Sequence, residues 1–92
     1  MSETWRQDCL PDGVTTIWQD AGEFCFTTDA VFLAAFPHLV KKARVLELGC
    51  GTGAVSLLLA NRGAAKVLGV DINAHVVELV RRSIQDNCLE NR

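Results

Sequence analysis

Ninety-two residues leave room for one small domain, and a composition of 49% apolar and 22% charged residues belongs to a folded chain, not a disordered tail. Nine Lys and Arg against eleven Asp and Glu give a net charge of −2, which excludes a module held to nucleic acid mainly by phosphate neutralisation. Cys9, Cys25, Cys50 and Cys88 form no CxxC pair and neither His38 nor His75 stands close to one, so no metal site is expected and the thiols read as reduced, in a cytoplasmic protein.

The stretch Met1 to Asp8 lacks the basic and apolar regions of a secretory signal. The longest apolar stretch, Ala30 to Val40, is broken by Pro37 and His38 and is too short to span a bilayer, so no membrane partner is expected. Residues 1–14 are polar, with a turn at Pro11-Asp12-Gly13. From 15 to 26, two β-favouring runs flank Asp20-Ala21-Gly22 and predict a hairpin with Phe24 and Phe26 on one face. Thr28 or Asp29 then caps a helix through Phe36, which Pro37 ends. Val31, Phe32, Leu33 and Phe36 make this helix apolar around most of its circumference, so it should pack inside something.

Past Arg44, Val45-Leu46-Glu47-Leu48 is a short apolar run closed by Gly49, which predicts a strand buried on both faces. Ala54 to Arg62 has a helical pattern stopped by Gly63, and Lys66 to Asp71 reads as a second strand. Asn73 caps a helix to about Asn87 with Val76, Val80 and Ile84 as its buried stripe, widened by Val77. Glu78 and Arg82 are spaced for an ion pair on its surface. The order strand, helix, strand, helix specifies a parallel pair joined by a crossover, the opening of a doubly wound α/β sheet. The expected organisation is a hairpin-and-helix segment over 1–43 followed by an α/β segment over 44–92.

Between the buried strand and its helix lies Gly49-Cys50-Gly51-Thr52-Gly53, where alternate glycines remove side chains from a ligand's path and from the helix packing on the strand. Gly49-x-Gly51-x-x-Ala54 also satisfies a dinucleotide fingerprint, so the pattern alone leaves the ligand open. Asp71, ending the second strand, can accept from two ribose hydroxyls, which suits NAD and S-adenosylmethionine equally. Glu47 discriminates. A carboxylate inside an apolar strand is expensive to bury unless a cation or hydrogen-bond donor meets it. A diphosphate beside it would be repelled, whereas an ammonium and a sulfonium would be attracted; the bland alternative is an acid turned to solvent or paired with Arg44 or Lys66.

Val45-Leu46-Glu47-Leu48-Gly49-Cys50-Gly51-Thr52-Gly53 followed by Val70-Asp71-Ile72-Asn73 resembles the nucleotide-binding signature of class I S-adenosylmethionine-dependent methyltransferases. Upstream, Phe24-Cys25-Phe26-Thr27-Thr28-Asp29-Ala30-Val31-Phe32-Leu33-Ala34 resembles the segment before that signature in tRNA and rRNA adenine-N6 or guanine-N2 methyltransferases, most of all the valine-tRNA adenine-N6 group. The resemblance implies a Rossmann-like fold, S-adenosyl-L-methionine as cofactor and an RNA base, tRNA adenine N6, as acceptor. It implies that Gly49, Gly51 and Gly53 admit the cofactor to the backbone and that Cys50 takes part through its backbone. Glu47 would lie near the methionine end, Asp71 would hold the ribose and Ile72 would flank the adenine. Thr28 and Asp29 either close the site from the N-terminal side or simply cap their helix.

Amino-methylating members carry an Asn/Asp-Pro-Pro-aromatic motif after their fourth strand, whereas the prolines here are Pro11 and Pro37 and there is no Tyr. The chain therefore reads as the N-terminal, cofactor-binding piece of a longer enzyme, incomplete in fold and with no catalytic residue of its own. Uncovered sheet would then favour self-association. An NAD-binding oxidoreductase fragment and a non-catalytic nucleoside-binding module are the competing readings. Lys41, Lys42 and Arg44, or Arg6 beside Trp5, offer an RNA some positive charge, although a solvated charge run explains them as well.

Overall fold

A computed structural model describes residues 4–22 and 25–91, with the elements β1 (Trp5–Cys9), β2 (Thr16–Asp20), α1 (Thr28–Ala35), β3 (Arg44–Leu48), α2 (Ala54–Arg62), β4 (Lys66–Val70) and α3 (Ala74–Asp86). β1 and β2 pair antiparallel, from Trp5 opposite Asp20 to Cys9 opposite Thr16, while β3 and β4 pair parallel, from Arg44 opposite Lys66 to Leu48 opposite Val70.

The hairpin therefore lies one segment earlier than the sequence predicts, and the polar stretch before the turn is itself a strand. The Asp12 side chain drives this by accepting from the amides of Val14 (3.0 Å) and Thr15 (2.8 Å) and from the Thr15 hydroxyl, with Gly13 at φ +79°. Arg6 and Asp8 pair at 2.7 Å, which lets charged residues occupy an edge strand. Asp20-Ala21-Gly22 ends β2, with Gly22 donating to the Asp20 side chain at 2.9 Å and Ala21 to the Thr4 carbonyl. Phe24 lies outside the described residues, and Phe26 packs on the core while its amide donates to Gln19 Oε1 at 2.7 Å.

α2 is the hub. Ala54, Leu57 and Ala60 join Leu10, Ile17 and Leu89 in one cluster, and Val55 and Leu59 join Ala34 of α1 in another. Gly63 closes the helix as expected, with Ala64 N–H donating to the Leu59 carbonyl at 3.1 Å. α1 begins after Thr27, whose side chain makes no capping bond, so Thr28 and Asp29 stand in its first turn instead of capping it. Only its Ala34 side is buried; Phe32, Leu33 and Phe36 are exposed, against the expectation of a helix packed all round.

β3 is covered on one face only. Val45 packs toward α1 and α2, whereas Leu46 and Leu48, with Leu68 and Val70 opposite them on β4, form an open apolar face on which Leu48 is 76% exposed. Periodicity cannot tell a strand with both faces covered from one covered on a single face. Asn73 caps α3 by accepting from the His75 amide at 3.0 Å, as predicted.

The buried positions of α3 are Leu79 and Ser83, not the expected valine stripe. His75, Leu79, Ser83 and Asn87, each four residues apart, face β2. Ser83 Oγ accepts from Trp18 N–H (2.8 Å), Asn87 Oδ1 accepts from Thr16 N–H (2.8 Å), and Asn87 Nδ2 donates to the Thr16 carbonyl (2.6 Å). The polar side chains of α3 thus stand in for a neighbouring strand. Val77, Val80 and Ile84 instead border a cavity of about 250 Å³, with Leu57, Val67 and Cys50 across it. Among the described residues no ion pair joins Glu78 to Arg82; Arg82 lies over the Trp18 ring, 4.4 Å from its centroid.

Candidate functional site

The C-terminal ends of β3 and β4 meet at the glycine-rich loop, where Leu48, Gly49, Val70, Asp71 and Ile72 line an open groove of about 450 Å³. Ligands of open parallel sheets bind at this end of the strands. Gly49 and Gly51 adopt φ of +64° and +51°, and a β-carbon at either would meet nothing within 4 Å, so space stands open above both. Gly53 has a different task. Its φ is +81°, and a β-carbon there would sit 2.9 Å from both methyls of Val80, so its bareness lets α3 approach.

Asp71 is held by the backbone. Its Oδ1 accepts from Asn73 N–H and its Oδ2 from Gly51 N–H, each at 2.9 Å, and these bonds keep its carboxyl below the usual carboxylate range. A carboxylate oxygen has room for a second donor, so the group can still accept from a ligand. Ile72 projects fully into solvent beside it.

The amides of the loop are largely occupied within the protein. Cys50 N–H donates to the Val70 carbonyl (2.9 Å), Gly51 N–H to Asp71, and Gly53 N–H to the Cys50 carbonyl (2.8 Å). The anion cradle that glycine-rich loops commonly form is thus already filled at these three positions, two of them by oxygens of the chain beyond the loop.

Glu47 turns inward from β3 toward α2, where the Ser56 hydroxyl donates to it at 2.5 Å. Neither Arg44 nor Lys66 pairs with it; Lys66 Nζ donates to the Asn91 carbonyl at 2.8 Å. Burial pushes the Glu47 carboxyl up, with the Ser56 hydroxyl and amide pulling against it. The Cys50 thiol is buried beside it, and burial, then the Glu47 and Asp71 charges, raise it, which suits an inert thiol and not a nucleophile. Gly69, opposite Glu47, was not singled out from the sequence. A β-carbon there would come within 3.0 Å of Cys50 Cβ and 3.1 Å of Ser56 Oγ, so a glycine inside a strand marks the close approach that seats Glu47.

Glu47, Gly49, Cys50, Gly51, Gly53, Asp71 and Ile72 therefore converge on one end of the sheet. Thr28 and Asp29 are exposed at the start of α1, and the following Ala30 packs on both core clusters, but no bond from either to the loop is formed among the described residues. Lys41, Lys42 and Arg44 are exposed at the start of β3, the end of the strand away from the glycine loop, with Lys42 at φ +62° in the turn before it.

Residues 45–91 match the family described as methyltransferase domain. The chain belongs to that family. The methyltransferase chain is 34% identical over 77 residues to the tRNA1(Val) (adenine(37)-N6)-methyltransferase of Phocaeicola vulgatus, covering 84% of this chain and 33% of that one. It is also 34% identical over 64 residues to the ribosomal protein L11 methyltransferase of Thermotoga neapolitana, covering 70% of this chain and 24% of the other. Among solved structures, the Pyrococcus abyssi tRNA (uracil-54, C5)-methyltransferase in complex with S-adenosyl-L-homocysteine superposes with a TM-score of 0.74 and 26% identity, over 98% of this chain and 23% of that one. The chain spans about a third or less of the length of the curated relatives it matches. Over that span its architecture is the Rossmann-like fold of class I methyltransferases, and the oxidoreductase reading of the glycine pattern gives way to it. Among the described residues no helix is long and apolar enough to cross a membrane.

Proposed function

We propose that this chain is the S-adenosylmethionine-binding portion of a methyltransferase that acts on an RNA base, most simply adenine N6 of a tRNA. One observation carries the reading. The groove at the strand ends offers a preset carboxylate at Asp71 and a bare backbone at Gly49 and Gly51, while the amides a diphosphate would need at Cys50, Gly51 and Gly53 are already bonded. The residues fit a cationic adenosine ligand better than a dinucleotide. When bound, the cofactor supplies an electrophilic methyl group on a sulfonium.

The chain's own residues bind and orient. Asp71 accepts from the ribose hydroxyls, Ile72 covers one side of the adenine, and Gly49 and Gly51 leave room for close approach. Glu47 places a half-buried carboxyl near the methionine end, where burial raises it and an approaching cation would favour its ionised form. Gly53 and Cys50 shape the loop from behind, and Thr28 and Asp29 would close the site from the N-terminal side. No catalytic group is assigned to this chain. The acceptor class is supported by the valine-tRNA enzyme of Phocaeicola vulgatus and by the Phe26-Thr27-Thr28-Asp29 segment that resembles that group.

The face formed by Leu46, Leu48, Leu68 and Val70 is where the chain would associate with itself. Free thiols at all four cysteines suit a cytoplasmic protein.

Calorimetric titration with S-adenosylhomocysteine and, separately, NADH tests the assignment. Binding of the first and not the second is expected, and the reverse would overturn it. Asp71→Ala should weaken S-adenosylhomocysteine by about 10- to 100-fold, the loss of charge-assisted hydrogen bonds, with the circular dichroism spectrum unchanged.

A further inference from the structure

A chain of hydrogen bonds runs from the N-terminal hairpin into the groove. At the end of β2, Asp20 Oδ2 lies 2.9 Å from His75 Nε2, and Asp20 Oδ1 accepts from Gly22 N–H at 2.9 Å. The Trp5 ring lies against the imidazole, with centroids 5.8 Å apart, so the histidine is fixed from two sides. The His75 amide donates to Asn73 Oδ1 at 3.0 Å, the Asn73 amide to Asp71 Oδ1, and the Gly51 amide to Asp71 Oδ2. Every link is direct. The hairpin therefore meets the carboxylate at the groove through one residue of α3 and its cap.

The other end of the same seam provides a natural contrast. Asn87 and Ser83 also tie β2 to α3, but Asn87 lies twelve residues beyond His75, about 18 Å along the helix axis, and its bonds lead to Thr16 and not toward the groove. A loss of either tie loosens the hairpin. Only one of them touches the turn that presents Asp71.

We infer that His75 and Asp20 are positioning residues for the nucleoside site: the hairpin sets the orientation of the Asp71 carboxylate through His75 and Asn73. This rests on the reading of Asp71 as the ribose acceptor. It gives the N-terminal hairpin a part in ligand binding, although none of its side chains lines the groove. The imidazole acts here by holding the first turn of α3, since its ring bond and its backbone bond pull on the same residue from opposite sides.

The test uses the whole chain with His75→Ala, Asp20→Asn and Asn87→Ala variants, two readouts being taken on each. Amide hydrogen exchange at Gly51 and Asn73 reports the grip on Asp71 without any ligand, and calorimetry reports S-adenosylhomocysteine affinity. His75→Ala should speed exchange at both amides and weaken the ligand by about 5- to 10-fold, the equivalent of one lost hydrogen bond. Asn87→Ala should lower the melting temperature yet leave both readouts at the wild-type value, and His75→Gln, which can still donate to Asp20, should restore most of the affinity. If His75→Ala does not fold, Asp20→Asn, which keeps the side chain's shape, gives the same two readings. Unchanged exchange and affinity in the His75 and Asp20 variants, or equal changes in Asn87→Ala, would overturn the inference. A wild-type chain that binds no S-adenosylhomocysteine overturns the nucleoside reading and this one with it, whereas wild-type binding matched by His75→Ala overturns this one alone.

Discussion

The antiparallel hairpin and the parallel pair are fastened to their helices by opposite means. β2 lies on α3 through directional bonds, from Asp20 with His75 at one end to Thr16 with Asn87 at the other. β3 and β4 are held to α2 by shape and apolar contact, through Val45, Val67, Leu59 and Leu58, with Glu47 and Ser56 as the polar exception near the loop. Apolar packing is indifferent to small rotations, whereas hydrogen bonds of this length fix register. The difference teaches that the parallel pair is seated on its helix by shape and the hairpin by register, although Leu10 and Ile17 also bury the hairpin against α2.

The largest effect is expected where the glycine loop after β3 packs on α3. Gly53→Val combines a φ of +81° with a β-carbon 2.9 Å from the Val80 methyls, so it should destabilise the chain by about 3 kcal/mol or more, read as loss of a cooperative thermal transition. At the polar seam the effect should be smaller. Asn87→Ala leaves the Thr16 amide and carbonyl without their partners and should cost about 1–3 kcal/mol in chemical denaturation. Equal losses from the two would erase the distinction.

The smallest effects are those of pH, and the two regions should respond with opposite sign. Asp20 is held down to about 2 by the Thr4 hydroxyl, the Gly22 amide and His75, so its contribution is present above about 3.8 and is lost as pH falls through 2. Glu47 is raised by burial, so its contribution is present below the ordinary carboxylate value of 4.5 and is lost as pH rises through the folded value. Melting curves of Asp20→Asn should therefore converge with wild type in acid. Those of Glu47→Gln should rise above wild type toward neutral pH, since glutamine still accepts from Ser56 without a buried charge.

The segment from Arg44 to Asn87 was legible because its apolar runs are punctuated by Gly49, Gly63 and Asn73, each acting through its local backbone preference. The hairpin was misplaced because Arg6, Gln7 and Asp8 look like loop, and only pairing with distant β2 makes them a strand. The stripe on α3 was misread for a related reason. Val76, Val80 and Ile84 announce an apolar face, but the buried one is set by a partner strand whose open edge needed hydrogen bonds more than methyl groups. At the site, Asp71 and the glycines could be read from spacing, whereas His75 and Asp20 lie 55 residues apart and carry no motif. The partner of Glu47 was hidden too: a serine one turn into the next helix is too common to signal itself.

The central position of α2 has a consequence for ligand capture. This helix is gripped from the hairpin through Leu10 and Ile17, from α1 and from Leu89 beyond α3, so the bend that feeds into it is braced before any visitor arrives. A braced bend loses little freedom on contact, and tight association then needs fewer new bonds. Any affinity of the proposed site would accordingly depend on how firmly one short helix is clasped, well away from the atoms a ligand would meet.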